Sequence, residues 1–225
     1  MKIALIHTAR SEELKESLEN SIREAFGQDT EIAEYQDLSV LQETAAAGHI
    51  TAGAAARYAG MHLKAEEEGA DAILSTCCVM GDAVEPLKSF LEFEGIPFAS
   101  LDESFCKNAL LENEKICMLA TAGVAAYSVG HTFERYQRKL GRFSAVETVL
   151  VRNTAGLTGE AFYEKIWETA KEHEDTTDAF VLSQPSMAFA GEYLRARTGK
   201  RVYSAVDDAV SVLKNRVEGQ KYVKH

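Results

Sequence analysis

Cys77 is the residue of this 225-residue chain best placed to do chemistry. It follows the apolar run Ala72-Ile73-Leu74 at the expected end of a strand and precedes a helix expected to start near Gly81. A thiol beside a helix N-terminus has its pKa lowered from about 8.5, and the thiolate so favoured can act as nucleophile or general base. The structural alternative is a small buried hydrophobe, because free cysteine is among the most buried residue types. Cys78 is adjacent. A bridge between neighbours would be strained, since bridged Cα atoms normally lie about 4.4–6.8 Å apart. The pair therefore reads as two thiols. Cys78 either packs or, with Val79, lends a backbone amide to a bound group. Cys106 and Cys117 read as packing residues.

Other polar groups gather at expected strand ends. His7 could serve as acid/base or as a hydrogen-bonding group; the alternative is a structural histidine. Thr8 and Thr121 each stand before a helix, where hydroxyl and amide suit a carboxylate, or where the side chain caps the helix. Ala122 and Gly123 after Thr121 are small enough to let a ligand approach the backbone. Gln184 takes no proton at neutral pH, but its amide both donates and accepts hydrogen bonds. Ser186 either binds the same ligand or caps a helix starting at Met187. The basic stretch Arg135 to Arg142 reads as a solvated face.

These positions belong to a repeat. Lys2-Ile3-Ala4-Leu5-Ile6-His7-Thr8-Ala9 returns as Lys115-Ile116-Cys117-Met118-Leu119-Ala120-Thr121-Ala122. Asp71 to Cys77 returns as Asp178 to Gln184, and Phe98 to Asp102 as Tyr203 to Asp207. The order is kept and the separation nearly constant, which indicates two copies of one unit. The matches align Thr8 with Thr121 and Cys77 with Gln184.

The elements that must carry these residues alternate. Strands are expected at 2–6, 30–35, 71–76 and 97–100, then at 116–120, 145–151, 179–182 and 202–203. Helices are expected at 12–26 with Ser11 as N-cap, at 51–68, 81–94 and 103–111, then at 125–140, 159–172, 187–197 and 206–217. Residues 36–50 read as a loop with some helical turns, and 152–157 as a loop. On 51–68, Tyr58, Met61, Leu63 and Ala65 fall on or near one face. Strands separated by helices give βαβ units and parallel sheets, with right-handed crossovers covering both faces. The expected fold is α/β: two similar doubly wound parallel-sheet lobes related by internal duplication. Residues 1–101 plus 206–225 would form the first and 102–205 the second. Ligands of such sheets bind outside the carboxyl ends of the strands, so the site is expected in the cleft between the lobes.

Composition excludes several classes. Hydrophobic content of 46% and charged content of 26% are those of a soluble globular protein. A net charge of −11 argues against nucleic acid, whose binding is dominated by Lys and Arg on phosphates. A small anion remains open, because helix N-termini hold carboxylates without cations. No apolar run approaches the ~18 residues of a membrane span, and no secretory signal is visible. Cytoplasmic free thiols are expected. There is no C-x-x-C or His-x-x-x-His pair, so no metal is expected.

At these residues the chain resembles the aspartate/glutamate/hydantoin racemase superfamily, over essentially its whole length. The resemblance rests on the duplicated lobes, the Gly69 to Cys77 segment, the Ala120-Thr121-Ala122-Gly123 turn and the mirrored Asp178 to Ser186 segment. It implies cofactor-free chemistry at a carbon next to a carboxylate or carbonyl, on a small amino acid or dicarboxylic acid. In the racemases two cysteines face each other; one removes the α-proton and the other delivers a proton to the opposite face. Cys77 matches the first-lobe cysteine. Thr8, Thr121 and the amides near Cys78 match the carboxylate clamp. The resemblance also implies a homodimer. The chain departs where Gln184 stands in place of the second cysteine, and where Cys78 stands in place of the usual Asn or Ser. Single-cysteine members such as the decarboxylases keep the second-lobe thiol, whereas this chain keeps the first. Three functions follow as expectations. They are an isomerase-like enzyme with Cys77 as base, a single-thiol decarboxylase or lyase, and a non-catalytic binder of an anionic metabolite. A periplasmic-type binding protein would need an export signal.

Overall fold

The computed structural model describes residues 1–9, 12–205 and 209–221, with no side-chain description for residues 220 and 221. The expected N-cap Ser11 and the expected helix start at Val206 lie outside the described residues.

The first sheet is built from β1 (Lys2–His7), β2 (Glu31–Gln36), β3 (Ala72–Ser75) and β4 (Phe98–Ser100), in the order β2-β1-β3-β4. Its helices are α1 (Glu12–Phe26), α2 (Leu38–Ala47), α3 (Ala52–Glu67) and α4 (Gly81–Phe93). The second sheet comes from β5 (Lys115–Ala120), β6 (Ala145–Leu150), β7 (Ala179–Leu182) and β8 (Arg201–Tyr203), in the order β6-β5-β7-β8. With it come α5 (Leu101–Glu112), α6 (Gly123–Leu140), α7 (Gly159–Lys171) and α8 (Gly191–Thr198). The last helix is α9 (Ala209–Lys221). All strand pairs are parallel. The chain divides into two compact units, Met1–Leu101 with Asp208–His225, and Asp102–Asp207.

Burial explains which strands lie in the middle. In β1, Ile3 to Ile6 are fully buried, and in β5 so are Cys117 to Ala120. Strands covered on both faces need continuous apolar runs, and these have them. The outer strands β2 and β6 are mostly exposed or half-buried and mix polar with apolar residues. Among the helices, α1 turns Leu14, Leu18 and Ile22 inward at four-residue spacing.

Three expectations need correction. Residues 38–47 form one continuous helix, α2, in place of the expected loop with some helical turns. Asp37 accepts from the Ser39 amide at its start, and Gly48, in the left-handed conformation at φ 73°, closes its end. The buried face of α3 is Ala54, Tyr58, His62 and Ala65, whereas Leu63 is 40% exposed. The helix expected from Met187 begins only at Gly191. A 3₁₀ turn, Pro185–Ala190, comes first, held at its start by Met187 N donating to Gln184 O at 3.0 Å. The first unit has the same device, a 3₁₀ turn at Cys78–Met80 before α4, with Met80 N donating to Cys77 O at 3.2 Å.

The repeated aspartates also gain a reason. Asp71 Oδ2 accepts from Lys2 N at 2.7 Å. Asp178 Oδ2 accepts from Glu114 N at 3.2 Å and Lys115 N at 2.8 Å. Each carboxylate pins the start of the neighbouring central strand and so sets where that strand ends. Asp178→Ala is expected to lower the stability of the second unit by about 1 kcal/mol, read as a lower urea midpoint at unchanged slope.

Candidate active site

Both sheets run outward in two directions from their central pair of strands, β1 and β3 in one unit, β5 and β7 in the other. Each pair is a topological switch point, the place where open parallel sheets bind ligands. His7, Thr8, Cys77, Thr121 and Gln184 lie at or just beyond these four strand ends.

In the first unit, Ile6 pairs with Ser75, which brings His7 and Thr76 side by side just beyond. Thr76 donates to Ile6 O through its amide at 3.0 Å and through Oγ1 at 2.9 Å. His7 Nδ1 lies 3.0 Å from the same Oγ1. A hydroxyl has one proton, and here Ile6 O takes it. Nδ1–H must therefore donate to Thr76, and Nε2 is left as an acceptor. Among the described residues Nε2 is buried and has no hydrogen-bond partner. Burial lowers the pKa of the ring below 6.5, with Glu34 pulling weakly the other way. The imidazole is thus neutral near pH 7, with a lone pair available.

Cys77 stands two residues past β3 in extended conformation, at φ −106° and ψ 101°, 9% exposed. Cys78, Val79 and Met80 are buried behind it in the 3₁₀ turn. Thr8 is buried directly after β1. A 2.5 Å bond between the Tyr58 hydroxyl and Ser75 Oγ ties the last residue of β3 to α3. The described cysteines are all outside disulfides. Away from the strand ends, burial pushes the Cys117 thiol up to about 12 and the Cys106 thiol well above its ordinary range. Both are protonated.

The second unit repeats the scaffold with different chemistry. Leu119 pairs with Leu182. Thr121 follows β5, and Ala122 takes the extended N-cap position of α6 without a side-chain cap bond. Gln184 Oε1 accepts from Thr121 N at 2.7 Å and from Thr121 Oγ1 at 2.9 Å. The two donors expected to hold a carboxylate are engaged by an amide oxygen of the same chain. Both are donors, so they fix the orientation of the Gln184 amide: oxygen toward Thr121, NH₂ away from it. Ser186 is exposed in the 3₁₀ turn. Ala120 occupies the position of His7 in the repeat, so no ring stands beside Ser183, whose buried Oγ has no partner among the described residues.

Thr76 was missed as a functional residue. Its signal was present, because Thr76 and Ser183 are matched hydroxyls in the repeat. Its role, setting the tautomer of His7, depends on a bond across the sheet that local sequence does not display.

Solved structures with the same fold include racemases. Allantoin racemase from Klebsiella pneumoniae is 19% identical, with 97% of this chain and 88% of that chain covered and a TM-score of 0.63. A glutamate racemase isoform from Bacillus anthracis is 13% identical, covering 97% and 82%, with a TM-score of 0.72. Glutamate racemase from Francisella tularensis, solved in complex with D-glutamate, is 10% identical, covering 99% and 81%, with a TM-score of 0.68. No protein-family model matches the chain, and no curated protein matches its sequence. The architecture expected from the repeat, two α/β units on parallel sheets, is the fold these solved racemase structures share with the chain.

Proposed function

We propose that this chain, carrying the racemase fold, is a cofactor-independent enzyme that moves a proton at the carbon next to the carboxylate of a small amino acid or dicarboxylic acid. Cys77 is the proton carrier. The observation that carries this is the presence, at the carboxyl ends of the neighbouring strands β1 and β3, of a thiol and a buried neutral imidazole whose Nε2 has no hydrogen-bond partner among the described residues.

The roles follow from the chemistry. His7 Nε2 accepts the Cys77 proton. The resulting thiolate takes the α-proton, and the electron pair passes into the neighbouring carboxyl group. That enolate-like state needs oriented donors that do not have to reorganise as charge develops. The Thr8 hydroxyl and the amides of Cys78 and Val79 suit this task.

A second reading is favoured by one observation, the bond between Thr121 and Gln184. Inversion of a centre needs a proton source for the face opposite the base. At the matching position of the second unit the chain carries an amide, and that amide neither gives nor takes a proton near pH 7. Delivery from one face only, as in a decarboxylase or lyase acting on a malonate-type acid, needs a single thiol.

Incubating amino acids, dicarboxylates and malonate-type acids with the protein in D₂O distinguishes the two. Deuterium entering the α-position with loss of optical activity supports isomerisation. Deuterium entering with a single configuration, or chiral product from a malonate, supports one-faced protonation. If no candidate exchanges, and Cys77→Ser alters the behaviour of none, the enzymatic proposal fails. Tight binding of a carboxylate in that case would identify a binding protein. Within the proposal the enzyme works as a homodimer in the cytoplasm. Among the described residues no helix is long and apolar enough to cross a membrane.

A further inference from the structure

Cys117, Glu147 and His173 come together away from the strand-end residues. Cys117 and Glu147 are register partners on β5 and β6. Register partners on adjacent parallel strands point to the same face. That face is the one packed by α7, since Cys117 belongs to the core cluster with Ile166 and Ala170. His173 follows the end of α7, held there by its amide donating to Ala170 O at 2.9 Å. Its Nδ1 lies 3.1 Å from Glu147 Oε2. One sulfur, one ring nitrogen and one carboxylate oxygen lie within 4.8 Å of one another.

We propose that Cys117, Glu147 and His173 form a binding site for a late transition-metal ion, zinc being the best match. The donor set selects the ion. A thiolate and an imidazole suit zinc and its neighbours, whereas magnesium and calcium take oxygen ligands. Zinc–ligand bonds of about 2.0–2.3 Å require donor atoms roughly 3–4 Å apart. The present spread narrows to that if Glu147, whose side chain is 56% exposed, turns inward. Three protein ligands leave a fourth position for water. As the sulfur–metal bond forms, the Cys117 thiol gives its proton to solvent, and Glu147 and His173 bind through a carboxylate oxygen and a ring-nitrogen lone pair. The ion would join the outer strand β6 to β5 and to the end of α7. Its three ligands are 30 and 26 residues apart along the chain. That is why no short Cys or His motif announces them. The inference is independent of the proposed activity.

Titration of the intact, metal-free protein with cobalt(II) tests it, followed by displacement with zinc. The expected result is one equivalent bound, with a thiolate-to-cobalt charge-transfer band that zinc abolishes. Cys117→Ser should remove the band. His173→Gln changes a half-buried residue after the helix, where folding is not at stake, and should weaken binding at least tenfold. The double variant Cys77→Ser, Cys78→Ser should keep the band, because those thiols are not the ligands. Absence of a thiolate band at stoichiometric cobalt overturns the proposal. So does a band that survives His173→Gln with unchanged affinity, or one that disappears with Cys77 and Cys78.

Discussion

Exchange of Cys77 for serine is expected to slow α-proton exchange by about 10²- to 10⁴-fold, the range contributed by one positioned proton-transfer group. Serine keeps the size and the extended backbone of the position, so the loss isolates ionisation. An alcohol remains protonated where a thiol can lose its proton to a neighbouring base, the role proposed for His7 Nε2, which has no hydrogen-bond partner among the described residues. The fold should be unaffected, and the circular dichroism spectrum and melting temperature of the variant serve as the check. Cys78→Ser is the control. Cys78 is buried in the 3₁₀ turn and is assigned its amide rather than its sulfur, so its loss should cost less than tenfold. Equal damage from both substitutions would remove Cys77 from its assigned role.

Acid should destabilise the protein well above the carboxylate range, because of His62. This histidine is fully buried on α3. Its Nδ1–H donates to Tyr58 O at 2.8 Å, and its ring lies between those of Tyr58 and Phe98, with centroids at 4.8 and 5.8 Å. Nε2 has no partner among the described residues. Burial drives the pKa from 6.5 down to about 4. The sign follows from proton counting. Above pH 6.5 both the folded and unfolded states hold a neutral imidazole, and stability is complete. As pH falls from 6.5 to about 4, the unfolded state takes a proton that the folded state refuses, and stability is lost. At about 1.4 kcal/mol per pKa unit the loss approaches roughly 3 kcal/mol. Urea denaturation across this window should show it. His62→Leu should remove most of the slope and leave the smaller contribution of His7, which has the same sign. A wild-type slope that persists unchanged in His62→Leu would refute the assignment.

Legibility in the sequence tracked how local the determining physics is. The central strands could be read because burial on both faces demands unbroken apolar runs, and Ile3 to Ile6 and Ala179 to Leu182 are such runs. Their carboxyl ends, and with them Cys77, His7, Thr121 and Gln184, followed from topology. Helix α2 was obscured because Ala45-Ala46-Ala47 shows no periodic stripe, although its caps Asp37 and Gly48 were present as signals. The 3₁₀ turns were hidden because a bond to the third residue or the fourth is decided by packing. What no local pattern could reveal was which polar groups satisfy each other. Thr76 bonds His7 across 69 residues and Gln184 bonds Thr121 across 63. Those bonds determine that one strand end presents a lone pair and the other an amide NH₂.

Helix α9 packs on β3, β4 and α1, and Arg216 donates to the carbonyl of Phe98. It belongs to the first unit, yet the ribosome makes it after the whole of the second. The second unit is continuous and can close as soon as it has emerged. The first must wait with one flank of β3 and β4 uncovered while about a hundred further residues are added. At ~5–20 residues per second that wait lasts roughly 5–20 s. For that time the half of the molecule that carries the thiol depends on chaperones, or on its own slow association, to avoid pairing with a neighbour's chain.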